Sequence, residues 1–162
     1  MAQGFHFQAD RLAKTIQDHF DEQEFILTQL DMALSMSQRE QVSREAFGVL
    51  AKPALNRFPM LQAIEWVPEI PSHRRALFEA SQRRSAPEFV ITQRHETGVV
   101  VPALDRPTYY PVTYIEPLHR NRKALGFDLG SNSARHTAIL LAREAKGSIA
   151  TEPVTLVQEE ET

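Results

Sequence analysis

The 162-residue sequence contains no cysteine, which excludes a disulfide, a thiolate nucleophile and any Cys-ligated zinc or iron-sulfur site. No window approaches the roughly 18 uncharged apolar residues of a membrane span. The start, Met1-Ala2-Gln3-Gly4, lacks the basic and apolar regions of a signal peptide. An excess of one charge is also missing: 18 Lys and Arg stand against 21 Asp and Glu, a formal charge of -3. The basic residues are spread among acidic ones, so no nucleic-acid partner is expected. The six glycines are dispersed, and no phosphate-binding loop, dinucleotide fingerprint or Gly-x-Ser-x-Gly elbow occurs. His6, His19, His73, His95, His119 and His136 never pair at the i, i+3 or i, i+4 spacing of a helical metal site. Neither a metal nor a cofactor is expected. Asp105, Glu116 and Asp128 are too separated in sequence to fix an acid/base pair, and their default reading is exposed acids.

What is present fits a folded domain. Hydrophobic residues make up 42% and charged residues 24% of the chain, near globular averages. From Asp10 to about Met36 there is neither proline nor glycine. Leu12, Ile16, Phe20, Leu27, Leu30 and Leu34 fall on one face of a helix at about 100° per residue. That stripe serves equally a stalk, a dimer seam or packing along the helix's own domain. Ser43 caps a second helix carrying Phe47, Leu50, Leu55 and Phe58, which Pro53 should kink or restart.

Further along, Leu61 to Val67 reads as a strand. Ser72 to Ser85 reads as a helix with Leu77 and Phe78 inward and the pairs Arg74-Arg75 and Arg83-Arg84 in water. Phe89 to Thr92 and Val99 to Val101 flank the polar turn Glu96-Thr97-Gly98 as a hairpin. Pro107 to Pro117, rich in aromatic and β-branched residues, reads as an edge or bulged strand because of Pro111. A Ser131 or Ser133 cap opens a helix whose Ala134, Ala138, Leu141 and Ala145 share a face, and Gly147 ends it. Ser148 to Val157 is the last strand candidate. The order predicts an α+β domain with a largely antiparallel sheet and flanking helices.

Seven phrases occur in order from Phe58: Phe58-Pro59 with Ile64-Glu65-Trp66-Val67-Pro68; Arg75 through Phe78-Glu79; Phe89-Val90-Ile91-Thr92; Tyr109 through Pro117; Asn121; Gly126-Phe127-Asp128-Leu129; and Ala150 through Leu156. Together the set resembles the CHASE domain, the extracytoplasmic sensor of membrane receptors. The resemblance implies an N-terminal stalk helix followed by PAS-like antiparallel sheets. It divides the chain into 1–58, the stalk and second helix, and 59–162, a PAS-like sensor region lacking the family's last strand and membrane-proximal part. It also implies flanking membrane spans, so that this segment lies on the periplasmic or extracellular side. The output module would be a histidine kinase or a nucleotide or cyclic-dinucleotide cyclase, and the sensor segment itself would not be an enzyme. A homodimer through the N-terminal helix is the expected assembly.

The same resemblance nominates binding residues. Asp128 matches the aspartate that accepts hydrogen bonds from the purine ring of cytokinins in the plant receptors, and Phe127 is its neighbour. A carboxylate on a pocket wall orients an otherwise apolar ligand. The local alternative for Asp128 is bonding to backbone N–H groups ahead of the next helix. Ala150 and Thr151 match positions near the plant ligand, with Ala150 smaller than the leucine expected there. From their residue type alone, Tyr109, Tyr110 and Tyr114 would provide aromatic walls and hydroxyl handles, Tyr110 and Tyr114 on one face of a regular strand with Tyr109 opposing them, the alternative being that two of the three complete a core. Trp66 either stacks on a flat ligand or fills the core. The leading expectation is a small-molecule sensor without metal or catalytic residues. Its rivals are an interaction module with a filled interior and a small hydrolase using Asp128 with a histidine.

Overall fold

A computed structural model describes residues 11–15, 17–18, 21–22, 24–30, 32 and 42–156. The chain divides into two compact units, Met1–Ala46 and Phe47–Thr162. In the first, every described residue between 11 and 32 is helical. Ile26 and Leu30, one turn apart, are buried there, whereas Leu12 and Leu27 of the expected stripe are exposed. Ile16, Phe20 and Leu34 lie outside the described residues.

Helix α1, Arg44–Arg57, opens as its sequence predicts, with Ser43 Oγ accepting the Ala46 N–H at 3.1 Å. Glu45 in the first turn and Arg57 in the last complement the helix dipole. The helix does not end at Pro53. Proline removes the bond to the carbonyl four residues earlier, and that residue, Val49, is exposed, so water can replace the lost partner. Within the second unit Phe47 and Ala51 are buried, and the Phe47 ring lies 5.9 Å from that of Tyr114.

The second unit is α+β, with its strands in three two-stranded antiparallel sheets rather than one. β1, Ile64–Trp66, pairs with β6, Tyr114–Glu116; β2, Ile70–Pro71, with β5, Thr108–Tyr109; and β3, Thr92–Arg94, with β4, Val100–Pro102. The last pair is a hairpin about the predicted turn, but its first strand is Thr92–Arg94 rather than Phe89 to Thr92, and Phe89 and Ile91 are buried in the core instead. The turn is closed by His95 N–H to the Val99 carbonyl at 2.8 Å and Gly98 N–H to the His95 carbonyl at 2.9 Å, with Gly98 at φ +88°. The Pro107 to Pro117 run divides into β5 and β6 because Pro111 has no N–H for a continuous ladder.

Helix α2, Arg75–Gln82, follows a 3-10 turn at Ser72–Arg74. Phe78 packs on the buried cluster Phe89, Ile91, Ala103 and Tyr109, but Leu77 is 76% exposed. Only Phe78, then, faces inward as expected. Arg75 departs from the solvated reading too. Its Nε donates to Glu79 Oε1 at 3.1 Å and its Nη1 to the Ala103 carbonyl and Tyr109 Oη at 2.9 and 3.1 Å. Arg83 donates to Glu79 Oε2 and to the Phe89 carbonyl, both at 3.0 Å. Buried Glu79 holds both arginines and accepts the Ile91 N–H at 3.0 Å, while Arg74 and Arg84 are exposed.

A second cluster, Val112, Ile115 and Ala124, forms behind β1 and β6, and Leu125 packs against both clusters. After the short helix α3, Leu118–Asn121, the chain reaches α4, Ser133–Ala145. Its cap is Asn132, whose side chain accepts the Arg135 N–H at 3.0 Å, rather than Ser131 or Ser133. Lys146 at φ 51° supplies the left-handed exit ahead of Gly147. The expected final strand from Ser148 to Val157 does not form. Residues 148–156 are irregular, tied down where Arg94 and Arg135 each donate an Nη2 to the carbonyls of Leu156 and Thr155, both at 3.2 Å. Val157 lies outside the described residues.

Candidate functional site

Antiparallel register decides which side chains share a space. Glu65 is opposite Ile115 in the β1–β6 pair, with Ile64 opposite Glu116 and Trp66 opposite Tyr114. Side chains alternate, so Glu65 and Ile115 project to one face while Trp66 and Tyr114 project to the other, where Tyr114 meets Phe47.

On the Glu65 face, β1, α4 and the irregular segment 148–156 enclose a half-open cavity of about 280 Å³. Apolar groups dominate its wall: Val112, Phe127 and Leu129 from the sheet side, and Ala138 and Ile139 from α4. Thr151, Val154 and Leu156 close it from the C-terminal segment. Its charged groups are Glu65 and Arg135. Burial raises the Glu65 carboxyl above the usual carboxylate range, opposed by the positive charge of Arg135. Burial lowers the Arg135 guanidinium, opposed by Glu65, and Arg94 lowers it further. The guanidinium carbon lies 5.7 Å from the Phe127 ring centroid. Among the described residues neither Glu65 nor Arg135 has an ion-pair partner within 4.0 Å.

Of the expected site residues, Phe127 and Thr151 line this cavity. Ala150 and Thr151 line an adjoining one of about 360 Å³ against α4. Trp66 and Tyr114 stand on the opposite strand face. Tyr110 is buried with its ring 5.9 Å from that of His136.

Asp128 does not line the cavity; it lies in a short backbone weave and is 0% exposed, unlike the exposed acid its sequence position suggests. Its N–H donates to the Thr92 carbonyl at 2.8 Å, and the Val112 N–H donates to the Phe127 carbonyl at 2.9 Å, so 126–128 is held on both sides. Asp128 Oδ1 accepts the Tyr110 N–H at 2.7 Å and the Gly130 N–H at 3.0 Å. Its Oδ2 lies 3.3 Å from Arg106 Nη1 but has no hydrogen bond, and neither has the buried Arg106 Nε. The backbone-bonding role is therefore the one this geometry displays. Asp105 pairs loosely with Arg75 at 3.8 Å and Glu116 with Lys52 at 3.9 Å, so the three acids have separate partners. Among the described residues no group of three or more His, Asp and Glu side chains is placed to hold a metal ion.

Glu65 and Arg135 were missed in sequence, although one signal existed. Ala63, Glu65 and Val67 share a strand face by the period of two, and Ala63 and Val67 pack on the buried cluster. A carboxylate between two inward apolar residues is an anomaly. For α4, the inward stripe is Arg135, Ala138, Ile139 and Ala142, displaced from the expected one that ends in exposed Leu141 and Ala145.

No described helix is long and apolar enough to cross a membrane. No curated protein matches the chain. The family model of the CHASE domain matches residues 40–162, about three quarters of the sequence and all seven phrases quoted above. CHASE domains are extracytoplasmic sensor domains of signalling receptors, not catalytic domains. An α+β unit with small antiparallel sheets agrees with that match, and the chain belongs to the CHASE domain family.

Proposed function

We propose that this chain is the ligand-binding sensor segment of a membrane-anchored receptor, facing the periplasm or the cell exterior. The observation that carries the reading is the cavity of about 280 Å³. It is just below the usual 300–1,000 Å³ of small-molecule pockets and has their composition, a mostly apolar wall with a few polar groups. Its size favours a small metabolite. Phe127 and Thr151 touch such a ligand directly and Ala150 shapes the neighbouring wall. Asp128 fixes the backbone between the lining residues Phe127 and Leu129, its Oδ1 engaged by two amides.

The ligand would act by binding one of two arrangements of the domain more tightly, since equal affinity for both shifts nothing. A PAS-like architecture, an N-terminal stalk helix, pairing of two copies through it, and a kinase or cyclase output complete the reading.

Thermal melting of the full chain against a panel of amino acids, nucleobases, polyamines and small carboxylates tests it. A true ligand at 100 times its Kd adds about 2.7 kcal/mol to the folded state, which is several degrees for a domain of this size. Ala138→Trp, which fills the cavity, should abolish the shift while the protein still melts cooperatively. A shift of equal size in Ala138→Trp would place the binding elsewhere and overturn the assignment. A panel without effect, together with a dimer weakened by Leu12→Asp, would favour the interaction-module reading instead.

A further inference from the structure

We infer that the cavity takes a compact zwitterion with an apolar body, the chemistry of an aliphatic amino acid, with its ammonium on Glu65 and its carboxylate on Arg135. The inference rests on the cavity being the ligand site and goes further by naming the ligand class.

Two opposite charges line one apolar space, yet neither has an ion-pair partner within 4.0 Å among the described residues. Burying a charge without a partner is costly, and burial acts on both groups. A molecule carrying one charge of each sign satisfies both residues at once and leaves the site neutral.

Ligands of a single charge fit less well. A simple amine would meet Glu65 but also the field of Arg135, with Arg94 adding to it. A simple carboxylate would meet Arg135 and be opposed by Glu65. Arg135 already donates one Nη2 hydrogen bond to the Thr155 carbonyl and lies over Phe127. Its fork is thus positioned, with remaining N–H groups for a carboxylate. The same lining includes the aliphatic Val112, Leu129 and Ile139, which suits a branched side chain. The modest volume excludes large ligands.

Because Arg135 also bonds to Thr155, a ligand carboxylate there adjoins the anchor of segment 148–156. Occupancy would therefore tighten that segment.

Calorimetric titration of the full chain with L-leucine, isoamylamine and 4-methylpentanoate tests the inference, the latter two being the same body with the carboxylate or the ammonium removed. L-leucine should bind at least tenfold more tightly than either. Glu65→Gln and Arg135→Gln should each weaken L-leucine at least tenfold while folding cooperatively. Glu65→Gln should also narrow the gap between L-leucine and 4-methylpentanoate, a change that a general loss of structure would not produce. Absence of L-leucine binding, equal binding of either half-molecule, or unchanged affinity in Glu65→Gln would overturn it. A different compound that still shifts the wild type but not Ala138→Trp would leave the cavity as the ligand site and reject only the amino-acid class.

Discussion

Gly126 has φ +85°, and a Cβ there would come within 2.3 Å of the Val90 carbonyl oxygen. Both the left-handed backbone and the close approach require glycine. Gly126→Ala should cost at least about 2 kcal/mol. Gly98 has a similar φ but open space around it, so Gly98→Ala should cost only about 1 kcal/mol. Urea denaturation of the two variants checks the contrast. Asp128→Asn places an amide against the Arg106 guanidinium and removes a buried charge pair, with an expected loss of about 3 kcal/mol. Asp105→Asn, at an exposed position, should be nearly neutral.

Glu65 predicts a dependence on pH. Its folded pKa is raised by burial, so the folded state holds the proton more tightly than the unfolded chain. Stability from this group then falls as pH rises from the ordinary glutamate range, about 4.3, through the raised value. Glu65→Gln removes the effect. In denaturation across acid to neutral pH, it should gain on the wild type as pH rises. A constant difference would show that Glu65 is not desolvated. None of this is visible from residue type alone, because Glu65 is an ordinary surface residue until β6 and α4 close over it.

Among the elements, α4 shows how local signals succeed and then stop. The helix and its end at Lys146-Gly147 follow from local chemistry, as does a polar cap. Which polar residue caps depends on the local backbone angles, and Asn132 is extended at φ -107°, ψ 128° with its side chain accepting the Arg135 N–H. Asn132→Ala should cost about 1 kcal/mol and Ser133→Ala much less, measured by thermal or urea unfolding. The strands divide similarly. The β3–β4 hairpin is legible because its pairing is local and its turn chemistry explicit. The 148–156 segment has β-branched residues in strand-like order, but strand formation needs a ladder partner. Here its described anchors are two guanidinium bonds from Arg94 and Arg135.

At the scale of the second unit, two hydrophobic clusters are bridged by Leu125, which packs on both. Leu125→Ala should cost about 2 kcal/mol, the low end for a core leucine because it is half-buried. The unfolding transition should stay single if the clusters are coupled, and two separated transitions by fluorescence and circular dichroism would show that they are not. The order of residue types along the chain by itself determined the α+β class, the positions of α1, α2 and α4, the hairpin and the family phrases. All of these depend on contacts between neighbours in sequence or on short periodic patterns. Only the tertiary structure decided that Arg75 is drawn into the interior, that Asp128 is bound by main-chain amides, and that Glu65 and Arg135 face one hollow. Those outcomes depend on register and burial between segments far apart in sequence; for Glu65, a one-residue slip of β1 against β6 would send the side chain to the opposite face.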